Sequence, residues 1–300
     1  MKKHLLLAQF AATPWALTPD YLALMAGVLT NWTMKGAVAA EIIDKIEGDK
    51  QARAERTQQH GTKGAIAVIP VYGVLTQRPP QDISGSGATS TSNIAQAVTQ
   101  AANNPNISQI LLDLDGPGGS VYGTAEAADA IYQARMKKPV IGIANSMAAS
   151  ATYWLGSQCS EFYCTPGGEV GSIGVYTAHQ YVGEAMEKAG LKTTLISAGE
   201  FKTEANPFEP LSDEAKAAIQ SRVNDYYSMF VGAVARGRGA STLSVKTDMG
   251  GGRMLGANEA LAANMIDGVM TFDALLDKMK RSASPPRSRL AAARHEQALF

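Results

Sequence analysis

Short apolar runs, each closed by glycine or another small residue and followed by a helix-like stretch, recur along the middle of this chain and limit what it can fold into. Ala65 to Leu75 is an apolar run interrupted by Pro70, Ile107 to Leu114 is almost continuous in apolar residues, and Val140 to Ala144 repeats the pattern. A strand with so few polar positions is buried on both faces, as strands of parallel sheets are. Helix patterns lie between them: Asn93 to Ala102, an Ala-rich stretch from Gly119 to about Ala134, and a helix from Ser150 through Trp154. Val170 to Tyr176 and Thr193 to Ser197 are expected as further strands. The alternation predicts an α/β fold with a mainly parallel sheet.

The flanks read differently. Residues 1 to about 46 are expected to be helical, with Tyr21 to Leu29 apolar and Ala37 to Ile46 apolar at helical spacing. Glu47 to Thr62 is polar and reads as a linker, and Gln77 to Ser92, rich in Pro, Gly, Ser and Thr, as a loop. Ser212-Asp213-Glu214 starts a helix, with a capping hydroxyl followed by acids that suit the positive helix end. Ala215, Ile219, Val223, Tyr226, Phe230 and Val234 should form its buried face, and Gly237 and Gly239 its end. The expected organisation is an N-terminal helical segment and linker over 1–60, a main domain over 61–280, and a flexible basic tail over 281–300.

Composition removes several function classes. Lys+Arg number 27 and Asp+Glu 27, so the formal net charge is zero and nucleic acid is not expected as a partner. Cys159 and Cys164 make neither a disulfide framework nor a full zinc site and read as buried thiols. No metal cluster or nucleotide-binding loop is visible, so no cofactor is expected. The start, Met1-Lys2-Lys3 and then Leu5-Leu6-Leu7-Ala8, imitates a signal peptide, but Gln9 interrupts it and Pro14-Trp15 stand where small residues should prepare cleavage. No apolar stretch approaches a membrane span. The chain is expected to be soluble and cytoplasmic.

Three strand ends carry the chemistry. Ser150 closes the small-residue run Ser146-Met147-Ala148-Ala149-Ser150-Ala151, Lys202 closes Ser197-Ala198-Gly199-Glu200-Phe201, and Asp115-Gly116-Pro117-Gly118-Gly119 ends a third strand. A serine hydroxyl is a weak nucleophile until a base takes its proton. The four histidines are His4, His60, His179 and His295, and only His179 falls inside the main domain, with nothing around it marking a base. Lysine can serve instead where burial keeps its amine neutral. Phe201, Pro207 and Phe208 are the expected apolar cover for Lys202, with Glu200 and Glu204 pointing away. A tetrahedral intermediate needs preorganised N–H donors. The glycine turn can aim one amide, and Ala151, after the serine at the start of its helix, can supply a second. Small residues at Gly118, Ala148 and Ala149 would let a substrate backbone approach, which makes Gly118 and Ala149 the candidate substrate-binding positions. Ser146 is the runner-up nucleophile.

These motifs, in this order, resemble the signal peptide peptidase A family of serine peptidases, within the Clp-protease/crotonase fold group of repeated β-β-α units. The resemblance runs from about Ala65 to Leu276. It takes in the Ile-Pro-Val-Tyr-Gly strand, the Asp115 to Gly119 turn, Ser146 to Tyr153, Val170 to Val175, Ser197 to Lys202 with Pro207-Phe208, Gly252-Arg253, Ala260 and Ile266 to Gly268. It implies Ser150 as nucleophile, Lys202 as general base and Gly119 in the oxyanion hole. Gly116 departs from the pattern, where serine is commoner. Members acting on membrane-embedded signal peptides usually carry a transmembrane anchor, and none is visible here. The helical N-terminal segment and the basic, Pro-containing tail look like the bacteriophage branch, the head maturation proteases related to minor capsid protein C. Residues after Arg281 then read as the stub of a scaffolding segment.

The expectation is a serine endopeptidase with a Ser-Lys dyad that cleaves phage capsid assembly or scaffold proteins, in the host cytoplasm or the prohead. The alternatives are a cytoplasmic peptidase clearing signal-peptide remnants or small apolar peptides, a non-peptidase enzyme of the crotonase type, and a catalytically silent capsid component. A polypeptide substrate, capsid, portal or scaffold partners, and a homo-oligomer formed through the apolar N-terminal runs complete the reading. Small residues at the turn suggest a pocket for Ala-like side chains.

Overall fold

The computed structural model describes residues 13–23, 25–27, 66–78 and 88–283. The readings for Ala37 to Ile46, for the Glu47 to Thr62 linker, for most of the Gln77 to Ser92 loop and for the tail past Ala283 lie outside the described residues. Residues 19–23 and 25–27 are helical, as expected for part of the Tyr21 to Leu29 run.

A mainly parallel sheet is built around β7 (Val140–Ala149). One side of β7 carries β5 (Gln109–Gly116) and then β2 (Ile66–Tyr72), both parallel to their neighbours. The other side changes partner along its length. Residues 141–144 pair with β8 (Glu161–Cys164), which in turn carries β11 (Gly268–Val269), and residues 147–149 pair with β9 (Glu169–Gly171). β10 (Met254–Gly256) closes that end and runs antiparallel to β9. The change of partner is made by a bulge: Leu114 pairs with Ala144, Gly116 with Ala148, and between them Ser146 takes φ 111°. Such a bulge re-aims the end of a strand. A second, small sheet holds β1 (Trp15–Leu17), β6 (Gly118–Ser120), β3 (Leu75–Thr76) and β4 (Thr89–Ser90), in that order.

Both faces of the main sheet are covered, which is why Ile107 to Leu114 has so few polar positions. Ile110, Leu112 and Leu114 pack in the larger core with α1 (Thr91–Asn103), α2 (Thr124–Arg135), α3 (Ala151–Gly156) and the end of α4, a helix of Asp213–Arg238. Leu111 points to the opposite face with Ile66, Ile141 and Ile143, under Leu275, Leu276 and Met279 of α5 (Phe272–Ala283). Caps sit where hydroxyls precede the helices. Ser90 accepts from Asn93 N–H at 3.2 Å, and Ser212 accepts from Ala215 N–H at 3.1 Å.

Three expectations are corrected. Thr193 to Ser197 forms no strand: residues 191–197 carry no regular structure and are exposed, so this apolar run pairs with nothing among the described residues. The Val170 to Tyr176 strand is shorter, Glu169–Gly171, because Gly171 at φ 132° and Ser172 at φ 55° turn the chain away. The helix from Ser212 buries only Ala215 and its far end, Phe230, Val231, Val234 and Ala235, while Ile219 and Val223 stay half-buried. Residues 178–211, which precede it, hydrogen-bond among themselves: Val182 to Pro207, Leu191 to Met186 and His179 to Asn206. These residues form an arm rather than another layer.

Candidate active site

Ser150 stands between the end of β7 and the start of α3, with φ 53° and ψ −118°. A non-glycine residue in that region is strained and persists only where its surroundings hold it. Three contacts do so. Its N–H donates to the Gly171 carbonyl at 2.7 Å, its carbonyl accepts from Trp154 N–H at 2.9 Å, and its Oγ reaches the Gly174 carbonyl at 3.5 Å. Trp154 in turn stacks on Phe230 with centroids 4.5 Å apart, which anchors α3 to the long helix. Ser150 is 1% exposed.

The glycine turn lies directly against it. A Cβ on Gly118 would fall 2.9 Å from Ser150 Cβ and 2.2 Å from the Ala16 carbonyl oxygen, and Gly118 has φ 106°. Only glycine fits there. Gly119 is as tightly bound, since its Cβ would meet the Leu75 carbonyl at 2.1 Å. Ala149 and Ala151 flank the serine and are fully buried, and Ala151 N–H belongs to the first turn of α3, where amides lack partners within the helix. Ser150, Gly118, Gly119, Ala149 and Ala151 are thus brought together by β6, β7 and α3. An attacking hydroxyl and backbone donors on either side of a carbonyl are the parts acyl transfer uses.

Lys202 is not brought to them. It lies exposed on the arm, its N–H donates to the Gly199 carbonyl at 3.2 Å, and its Nζ makes no hydrogen bond or ion pair among the described residues. The apolar cover expected for it is absent: Phe201 is 54% exposed, Pro207 is exposed and Phe208 half-buried. The run before it pairs with no strand among the described residues, so none of them folds the lysine inward. His179 sits on the same arm, where its Nε2 lies 3.2 Å from the Asn206 carbonyl oxygen. Ser146 occupies the bulge and points into solvent rather than toward the glycine turn.

Behind α3, Asp267 pairs with both guanidinium nitrogens of Arg238 at 2.7 and 3.0 Å and accepts from Phe162 N–H at 2.7 Å. Burial raises the carboxyl's affinity for protons, but the Arg238 and Phe162 hydrogen bonds outweigh it and hold the group below its ordinary value. Tyr153 of α3 donates to the Met265 carbonyl at 3.0 Å just before this pair, and its burial pushes its phenol upward. Cys159 and Cys164 are buried and unbridged, and burial pushes their thiols up to about 12 and about 11. Neither is poised as a nucleophile. Among the described residues no three His, Cys, Asp or Glu side chains converge as metal ligands, and no helix is long and apolar enough to cross a membrane.

Sequence reading missed one component. Trp15, Ala16 and Leu17 form a buried strand against the glycine turn. Its signal was present in Pro14-Trp15-Ala16-Leu17-Thr18-Pro19, an apolar run bracketed by prolines, but it lay inside what resembled a failed leader.

The model of peptidase family S49 matches residues 132–284, which hold Ser150, the arm and Lys202. The chain belongs to that family. This is the signal peptide peptidase A family its motifs resemble. It is 35% identical over 83% of its length to capsid assembly protease C of Escherichia phage lambda, and it spans 55% of that protein. It is 37% identical over 60% of its length to head-tail preconnector protein GP5 of Enterobacteria phage P21, spanning 36% of it. The chain therefore covers about half or less of the phage relatives it matches. Among solved structures it is similar to a ClpP1 mutant from Listeria monocytogenes, with 15% identity, a TM-score of 0.43, and coverage of 69% of this chain and 94% of that one.

Proposed function

We propose that this chain is a serine endopeptidase in which Ser150 is the nucleophile, Lys202 the general base, and the amides of Gly119 and Ala151 the oxyanion hole. The observation that carries the reading is the strained, buried Ser150 with glycine backbone in contact with its Cβ, in a member of a peptidase family. Ser150 attacks a substrate carbonyl, Lys202 takes the hydroxyl proton and returns it to the leaving amine, and backbone N–H groups hold the developing oxyanion. Gly118 and Ala149 leave room for the substrate chain.

The position of Lys202 bears on assembly. The arm exposes Tyr181, Leu191, Leu195, Ile196 and Phe201, a concentration of large apolar side chains of the kind that marks interaction surfaces. We place this face, rather than the N-terminal runs alone, against another copy of the chain, so that a homo-oligomer packs the arm and brings a lysine to a serine. The substrates are polypeptides, and the likeness to two phage head proteins favours capsid assembly or scaffold proteins cut in the prohead or the host cytoplasm. On this reading 1–60 is the N-terminal segment and linker, the peptidase domain extends over 61–280, and 281–300 is a basic tail, the stub of a scaffolding segment.

Turnover of an unstructured fluorogenic polypeptide by the purified chain tests the proposal. Turnover should be present in the parent and lost in Ser150→Ala and Lys202→Arg. Unchanged turnover in Ser150→Ala would remove the reading.

A further inference from the structure

A polypeptide that offers a carbonyl to Ser150 has to lie along β6, because Gly118 is the backbone in contact with the serine. That edge is taken. β1 runs antiparallel to β6, with Trp15 opposite Ser120, Ala16 opposite Gly119 and Leu17 opposite Gly118. Val121 N–H donates to the Pro14 carbonyl and Thr18 N–H to the Pro117 carbonyl, both at 3.1 Å, so the outer pairs are of the hydrogen-bonded kind. Antiparallel alternation makes Ala16 and Gly119 the hydrogen-bonded pair between them, which sends Gly119 N–H to the Ala16 carbonyl. On the other edge, Trp15 exchanges both backbone bonds with Tyr176, at 2.9 and 3.0 Å. The segment is a strand inserted between two receiving edges, the geometry by which sheets capture extended peptides.

The placement of Ala16 is the informative detail. Its carbonyl oxygen and Ser150 Cβ lie 2.2 and 2.9 Å from one point, the place where a Gly118 side chain would begin. A carbonyl of the chain itself therefore sits beside the candidate nucleophile, bound by the amide assigned to the oxyanion hole. The Ser150 Oγ bond goes to the Gly174 carbonyl instead, so the strand is held without being aligned for attack. Trp15 and Leu17 are buried and fix it in place, and Ala16 is fully buried, which leaves space for only a small side chain at that position.

We propose that Pro14–Thr18 is a resident occupant of the substrate groove, held in cis where a polypeptide substrate would lie, and that it blocks the site until it is displaced. This rests on the peptidase reading and adds to it. The groove takes an extended strand with an Ala-sized residue where the carbonyl meets Ser150, and access to it is controlled by the N-terminal segment.

The test uses the full chain and its Trp15→Ala/Leu17→Ala variant, which removes the two anchoring side chains. Hydrogen exchange over Gly118–Val121 and Ser172–Tyr176 reads release of the strand, and the rate of modification by a serine-directed fluorophosphonate reads access to Ser150. The variant should exchange faster in those two segments and in the released strand itself, with β5 and β7 still protected. It should be modified about tenfold faster or more, as expected when a mostly closed site opens. A free peptide of sequence Thr-Pro-Trp-Ala-Leu-Thr-Pro-Asp should restore protection and slow modification. Release of the strand with no gain in modification rate would show the contact to be structural and overturn the proposal, as would exchange that rises throughout the sheet. Restored protection by the peptide with no modification of Ser150 under any condition would support the groove and its occupant while overturning the peptidase reading.

Discussion

Ser150 and Lys202 sit in regions built on opposite plans. Around Ser150 the backbone is buried and tied down: a strand bulge aims it, Gly171 and Trp154 hold it, and α3 is stacked onto the long helix. Around Lys202 the chain lacks regular structure, its hydrogen bonds are internal to the arm, and apolar side chains face outward, Ile196 at 96% exposure. On the proposed mechanism the rigid half supplies what must be accurate to fractions of an ångström, the nucleophile and the backbone donors. The loosely attached half supplies a base that arrives when the arm is packed. On that proposal a nucleophile kept apart from its base leaves the isolated chain inactive until assembly, and the proposed occupancy of the groove by Trp15–Leu17 adds a second restraint.

The comparison can be broken in several ways. The largest effect expected is on turnover in Ser150→Ala, a fall of at least about 10⁴-fold, since removing such a nucleophile removes the covalent route. The melting temperature should stay close to that of the parent, and a collapse of the fold would show Ser150 to be structural. Lys202→Arg and Lys202→Ala should both lose about 10²–10⁴-fold in turnover, because arginine keeps the charge but cannot accept the proton. An exposed arm lysine should leave stability to denaturant unchanged, and Lys202→Arg activity near the parent level would remove lysine as base.

Smaller effects separate core from arm. Trp154→Ala should cost about 3–5 kcal/mol in chemical denaturation, by losing the stack on Phe230 and leaving a cavity. Ile196→Asp should stay within about 0.5 kcal/mol for the dissociated chain, yet lower the assembly state seen by light scattering. Equal losses from the two substitutions would place the arm in the core and end the contrast. Asp267→Asn should cost only about 1 kcal/mol, since the carboxylate is 36% exposed and partly screened. The folded state holds this carboxyl below its ordinary value, so its contribution is complete above the unfolded value of about 3.9. It is lost as pH falls through the lower folded value. Urea midpoints of the parent and Asp267→Asn should therefore converge in acid and separate toward neutrality.

Most of the main sheet was legible because burial on both faces leaves a direct signature, as in Ile107 to Leu114. The glycine turn and Ser150 were legible for a related reason: small residues are needed where backbones meet at Gly118 and Gly119. The errors fall where an apolar pattern meets no cover among the described residues. Thr193 to Ser197 has an apolar pattern yet is exposed, and Ile219 and Val223 of the long helix are only half-buried. An apolar residue looks the same whether a second copy or the chain's own core covers it. Trp15–Leu17 was missed because three residues are too few to show a period, and its partner Gly118–Ser120 is just as short.

Mapping where a fluorophosphonate attaches tests the central claim most directly. The reagent is carried to completion on the assembled protein, the strand-released variant and their Lys202→Ala counterparts, and located by peptide mass. The account predicts one adduct, on the peptide containing Ser150, forming more slowly without Lys202. An adduct on Ser146, or none even with the strand released, would contradict it.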